Sequence, residues 1–184
     1  VAAPCRHAFP AQDLPGPEVL ALLGTLPKRW GRMDRLSRLA VVEVGRVLRA
    51  GPAPLGSGRG GLIGFTRRGS LATDLAYAAT LNQGPELASP TLFSYTLANI
   101  ALAEAASHYG LAGPVFSIFA DNPGDGDGAE AEARRWLADD SSLAFMIVGE
   151  LDVYPAPPPD PGAATAPVSN RDREIISVNF RIVS

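Results

Sequence analysis

The chain has 184 residues, of which 46% are hydrophobic and 19% charged, with a formal net charge of −3; this fits one domain burying its own core and excludes a large multidomain enzyme. Its 16 basic residues are scattered apart from the run Lys28 to Leu39, which also carries Asp34, so nucleic acid is not an expected partner. The single cysteine, Cys5, excludes an internal disulfide and argues against a cysteine-based zinc site; no run approaches the ~18 apolar residues of a membrane span, and the cytoplasm is the expected address.

Residues 1–16 are Pro-rich and are expected to be poorly ordered. Pro17 to Leu26 predicts a short helix opened by proline. Between Arg32 and Gly51 the periodicity is clearer: Leu36, Leu39, Ala40, Val44, Val47 and Leu48 share one helical face, and Arg35, Arg38, Glu43, Arg46 and Arg49 lie largely on the other. This predicts an amphipathic helix with one buried side, stopped by Gly51 and Pro52.

A loop, Gly51 to Gly60, precedes a short apolar strand from Gly61 to Thr66, and the alanine-rich segment from Ser70 to Gly84 reads as a helix. The period is helical again from about Ser94 to Tyr109, with Gly110 as the residue that ends the helix. Glu104 is its only formal charge, so both of its sides are expected to be covered, in a core or against another subunit.

Val115 to Ala120 and Leu143 to Leu151 are continuous apolar runs of strand length, with a helix between them that starts near Ala129. Continuous rather than alternating runs joined by a helix indicate parallel strands covered on both faces. Residues 154–170 form a Pro/Ala-rich linker between the main domain, residues 17–153, and a final alternating strand within residues 171–184.

Three motifs invite a chemical reading. Gly56 to Gly61 satisfies G-x-G-x-x-G, but these glycines precede a strand instead of opening a helix, so no dinucleotide is expected. Asp121, Asp125, Gly126 and Glu132 match part of a calcium-loop register, yet Pro123 offers no oxygen at the third position and a strand precedes the loop; a solvated acidic turn is the better reading. His7 and His108 have no serine or cysteine near them in sequence, and no metal or cofactor is expected.

Four blocks in order resemble the N-terminal half of a β-ketoacyl synthase, including the chain-length factors, which share the thiolase fold. They are GRMDRLSRLA (Gly31 to Ala40), GLIGFTRRGSLATDLAY (Gly61 to Tyr77), SPTLFSYTLANIALAEAASHYGLAGP (Ser89 to Pro114), and the stretch from Gly113 to Asp152 that holds VFSIFADNPGDG and FMIVGELD. The third block, with Pro90, Asn99, Gly110 and Gly113-Pro114 at the family's spacing, is the most specific.

The resemblance implies an α/β thiolase-like half domain: a mixed, mainly parallel five-stranded sheet with helices on its faces, Ile175 to Val183 forming an antiparallel edge strand. In active family members a cysteine follows the strand after Gly-Pro, at a helix N-terminus that lowers its thiol pKa. Counting from Gly113, that position falls on Asn122, and an amide is neither nucleophile nor base. Neither His7 nor His108 lies in a motif that matches the family's two catalytic histidines. The implied role is therefore a non-catalytic accessory subunit of a type II fatty-acid or polyketide pathway, pairing with an active synthase, with an acyl-carrier protein, or with itself as a homodimer.

Thr91, Phe93, Tyr95, Leu97, Asn99, Phe116, Ile118 and Phe119 would then line the acyl channel or the subunit contact. Arg67 and Arg68 read as surface arginines or as a contact for an acidic carrier protein. The alternative is a small acyl-thioester hydrolase or decarboxylase with chemistry relocated to Asp121, Asp125 or Ser117, where a partly buried carboxylate would activate water.

Overall fold

The structure, a computed structural model, describes residues 17–51, 59–82, 84–119, 126–155 and 174–184. Two helices, α1 (Pro17–Leu23) and α2 (Arg35–Ala50), precede the first strand, β1 (Arg59–Thr66). Then come α3 (Leu71–Leu81), a 3-10 turn at Pro85–Leu87, α4 (Pro90–Phe93), α5 (Ile100–Tyr109) and β2 (Val115–Phe119). The chain closes with α6 (Gly126–Asp139), β3 (Leu143–Pro155) and β4 (Glu174–Val183).

The strands form one sheet in the order β2-β1-β3-β4. β1 runs parallel to both β2 and β3, whereas β4 pairs antiparallel with β3, as expected of the final strand. Among the described residues the sheet has four strands, not five. The sequence offers only four extended apolar runs, and the regular elements described before β1 are both helices.

Both sheet faces are covered, which is why the central strands are apolar without alternation. Leu62, Ile147, Leu151, Val178 and Phe180 face a core built with Leu36, Leu39, Ala40, Val44 and Leu48 of α2 and Ala101, Leu102 and Ala105 of α5. Ile63, Met146, Val148 and Val183 point the other way, onto Ala129 and Ala133 of α6. The molecule therefore has three layers, α2 with α5, the sheet, and α6.

α2 begins where the Asp34 carboxylate accepts from the Ser37 amide at 2.9 Å, satisfying one of the amides that open a helix. It ends at Gly51, whose amide donates to the Val47 carbonyl at 2.9 Å. Its burial is wider than one face: Ser37, Val41, Val42 and Glu43 are buried as well. The reason is that α1, α5 and the sheet pack against three sides of it. The α2–α5 contact is close at Gly45, where a Cβ would collide with the Tyr109 hydroxyl; that hydroxyl donates to the Val41 carbonyl at 2.8 Å. Gly110, with φ 66, ends α5 in the left-handed conformation foreseen for it.

Two helix starts differ from the sequence reading. α6 begins at Gly126, three residues before Ala129. α5 begins at Ile100, not Ser94, because side chains take the carbonyls a continuous helix would need. Ser70 donates to the Thr96 carbonyl, and Ser117 donates to the Ala98 carbonyl at 3.0 Å. Such side-chain bonds offer the backbone an alternative to the helix. Nor is α5 covered on every side: Ser107 is exposed, and Ala103 and Glu104 are half-buried.

Candidate functional site

The three parallel strands end at one edge of the sheet. Register places Thr66 beside Phe119, and Phe65 beside Glu150, so the turn after β1, the end of β2 and the Glu150–Asp152 stretch of β3 lie together. Carboxyl ends of parallel strands are where open α/β sheets ordinarily present functional loops. Asn122, Asp121 and Asp125 lie outside the described residues, in the connection from Phe119 to Gly126.

The turn after β1 is fixed by a buried carboxylate. Asp152, 1% exposed, accepts from the Thr66 hydroxyl at 2.6 Å, from the Arg67 amide at 3.0 Å and from the Arg68 amide at 3.0 Å. The Gly69 amide then donates to the Thr66 hydroxyl oxygen at 2.7 Å. Each bond to an ionised acceptor is stronger than a neutral one, and together they make burial of the charge tolerable. Both arginine side chains are engaged: Arg67 pairs with Glu150 at 3.3 Å, and the Arg68 guanidinium lies 5.8 Å from the centre of the Tyr154 ring. β3 extends through Tyr154 and Pro155, so the first two residues of the expected linker belong to the strand.

Beside this turn, residues 94–99 connect α4 to α5. The Tyr77 and Phe93 rings lie 5.5 Å apart, and the Phe119 ring sits against Gly69 and the Ala98 side of the connection. Phe93, Leu97 and Phe119 are 60%, 62% and 66% exposed. Thr91 and Asn99 are also exposed, and Phe116, Ser117 and Ile118 are half-buried along β2. The structure thus brings Phe93, Leu97 and Phe119 near one another, whereas Phe116 and Ile118 turn to the other sheet face and pack against α6, with the Phe116 ring 6.3 Å from that of Trp136.

Tyr95 does not join them. It is buried and donates to the Glu104 carboxylate at 3.1 Å, with Arg29 beside Glu104 at 3.7 Å. Burial, reinforced by the charge of Glu104, pushes the Tyr95 phenol up to about 12. It holds the connection down from inside. Ser117, weighed as a relocated nucleophile, directs its hydroxyl to the Ala98 carbonyl. His108 stands in the last turn of α5 with its ring edge-on to Tyr109 at 4.7 Å.

β2 is the open edge of the sheet. Among the described residues it pairs only with β1, and its five residues, VFSIF, contain no charge and no proline. The sequence reading missed three contributors to the surrounding apolar surface: Leu75, Leu81 and Leu87, which are 51%, 43% and 60% exposed. The available signal was the near absence of charge from α3. These exposed apolar side chains lie on this side; the outer side of α6 instead carries Arg134 paired with Glu130 and Arg135 paired with Glu132.

Among the described residues no three His, Cys, Asp or Glu side chains are placed to hold a metal ion, and no helix is long and apolar enough to cross a membrane.

No protein-family model matches the chain, and no curated protein matches it by sequence. Solved structures do match by shape. The ishigamide ketosynthase/chain length factor superposes with a TM-score of 0.60 at 22% identity, over 74% of this chain and 38% of that chain. A ketosynthase (ApeO) in complex with its chain length factor (ApeC) from Xenorhabdus doucetiae superposes with a TM-score of 0.47 at 16% identity, over 77% of this chain and 62% of that one. The chain therefore spans less than two thirds of the length of either. It has the thiolase-like α/β fold of ketosynthase and chain length factor proteins.

Proposed function

We propose that this chain is a non-catalytic, ketosynthase-like accessory subunit, similar in role to a chain-length factor, that pairs with an active ketosynthase of a type II fatty-acid or polyketide pathway. The observation that carries this reading is the unprotected β2 edge bordered by exposed Phe93, Leu97 and Phe119. Natural sheet edges are blunted by charge, proline or a covering element; this one has none of these within its own residues. A partner strand laid along β2 would satisfy its free backbone groups, and the flanking rings would supply apolar burial.

Two further observations support the reading. The residue at the family's nucleophile position is Asn122, which can neither attack a thioester nor take a proton. The likeness in shape is to the ishigamide ketosynthase/chain length factor. In this proposal Phe116, Ile118 and the exposed residues of 91–99 shape the wall of the acyl channel from the accessory side, and the partner supplies the thiolate and histidines.

The test is light scattering on the purified chain, alone and mixed with an active ketosynthase of such a pathway. A stable mixed complex of defined mass is the expected result, and mixing without any change in mass would refute the pairing. The relocated-hydrolase alternative predicts instead that the isolated chain turns over a model acyl thioester and that Asp121→Ala abolishes the turnover.

A further inference from the structure

We infer that α3 is a second docking element of the same surface, covered by an uncharged apolar face of the partner subunit; this rests on the accessory-subunit reading and extends it beyond the sheet edge. The starting point is the composition of the helix. LATDLAYAATL has one formal charge, Asp74, and that carboxylate is occupied locally, accepting from the Ser70 hydroxyl at 3.1 Å. Yet only Thr73 is buried, and Leu75, Ala76, Ala78, Ala79 and Leu81 are all exposed. A helix that is apolar round most of its circumference belongs under another layer of protein.

The helix is continuous with the β2 side. Ser70, at its N-terminal boundary, holds the Thr96 carbonyl; Tyr77 meets Phe93; Thr80 receives the Ser89 amide at 3.3 Å. Leu81, Leu87, Phe93, Leu97 and Phe119 therefore stand on connected segments, and Leu75 adds to the exposed circumference of α3. These large apolar side chains are 43–66% exposed, and clustered exposed apolar groups of this kind mark protein–protein contacts.

Charge narrows the occupant. From Leu71 to Ala103 the chain contains no lysine, arginine or histidine; its two formal charges, Asp74 and Glu86, are both negative. The nearest cations, Arg67 and Arg68, are taken up by Glu150 and the Tyr154 ring, so an acidic carrier protein or an anionic lipid surface finds no cation on the helix or the connection itself. The chemistry that fits is an apolar, neutral protein surface, brought into place by the subunit that pairs with β2.

The inference is tested by measuring the affinity of the ketosynthase for four proteins: the wild-type chain, Leu75→Arg/Leu81→Arg, Ala79→Arg and Phe119→Arg. Ala79→Arg adds a charge at an exposed position without removing any packed group, so it guards against misfolding of the double variant; circular dichroism and melting temperature are recorded for each. Both α3 variants are expected to bind at least tenfold more weakly with their melts unchanged. If Phe119→Arg loses the complex while both α3 variants retain wild-type affinity, the α3 inference is wrong and the pairing reading stands. If the wild-type chain binds no ketosynthase, both fall together. Self-association of the wild-type chain that the α3 variants abolish, with no effect on ketosynthase binding, would overturn the assigned occupant in favour of a second copy. Flotation with neutral phosphatidylcholine vesicles that the same variants abolish would overturn it in favour of a membrane.

Discussion

The two edges of the sheet are built on opposite plans. β4, at one end, carries Asn179 and Arg181 to solvent while Val178, Phe180 and Val183 are buried. α2 lies over it, and Arg181 reaches across to Glu130 of α6 at 2.5 Å. That contact and the bond from Arg134 hold the Glu130 carboxyl below its usual range. β2, at the other end, is short, uncharged and half-buried, with Phe119 standing in solvent. An edge with a charge on it is protected from pairing, and an edge without one invites it. Among the described residues the sheet thus has one edge protected by its own chain and one that is not.

The largest effect expected from testing this contrast is on the finished edge. Phe180→Ala removes a buried ring from the core under α2 and should cost about 3–5 kcal/mol, read from denaturant melts. Phe119→Ala, the same truncation at the open edge, should change the stability of the isolated chain by no more than about 0.5 kcal/mol. Equal losses would erase the distinction between the edges.

Asp152→Ala comes next. It strips the turn between β1 and α3 of the acceptor shared by Thr66, Arg67 and Arg68, and about 2–3 kcal/mol of stability should go with it. Amide exchange in the 66–70 turn should rise first, since that turn aligns α3 with the open edge.

The effect on pairing should be similar in size. Phe119→Arg is expected to weaken ketosynthase binding by about 2 kcal/mol or more, the scale of an aromatic hot spot, while Arg181→Glu on β4 should leave binding unchanged. Titration calorimetry of both variants against the ketosynthase checks this.

The two edges are also held from within by one phenol each. Tyr95 braces the connection beside β2, and Tyr109 ties α5 to α2. Both are pushed up from 10.0 to about 12, Tyr95 by burial and then by Glu104, Tyr109 by burial. Between those values the unfolded chain releases protons that the folded chain keeps, so stability is complete below pH 10 and declines as pH rises through the window. Tyr95→Phe and Tyr109→Phe should each flatten the fall in melting temperature between pH 10 and 12. The smallest effect is expected for Arg181→Val, which breaks an exposed ion pair and should cost less than about 1 kcal/mol. By uncharging the protected edge, it should nevertheless raise concentration-dependent self-association.

Much of this architecture was legible in the sequence. The continuous apolar runs at 115–119 and 143–151 announced parallel strands, the alternation of Ile176, Val178, Phe180 and Ile182 announced the antiparallel edge, and Gly110 marked the end of α5. The break between α4 and α5 was not legible, because it depends on Ser70 and Ser117 reaching carbonyls 26 and 19 residues away in sequence. The wide burial of α2 was hidden for a similar reason: a periodic pattern shows which face is apolar, not how many neighbours converge on the rest. At the candidate site, Phe93, Leu97 and Phe119 were singled out by resemblance, but Tyr95 shared their spacing and turned inward to Glu104. Asp152 went unnoticed as a clamp, since its donors are backbone amides and carry no signature of their own.

The most direct test of the central claim is hydrogen exchange in Val115–Phe119 and Glu174–Val183, measured on the chain alone and with the ketosynthase proposed as its partner. The account predicts that the β2 amides facing away from β1 exchange readily in the isolated chain and become protected in the mixture, while β4 is equally protected in both. Unchanged exchange in β2 on mixing, or new protection confined to β4, would contradict it.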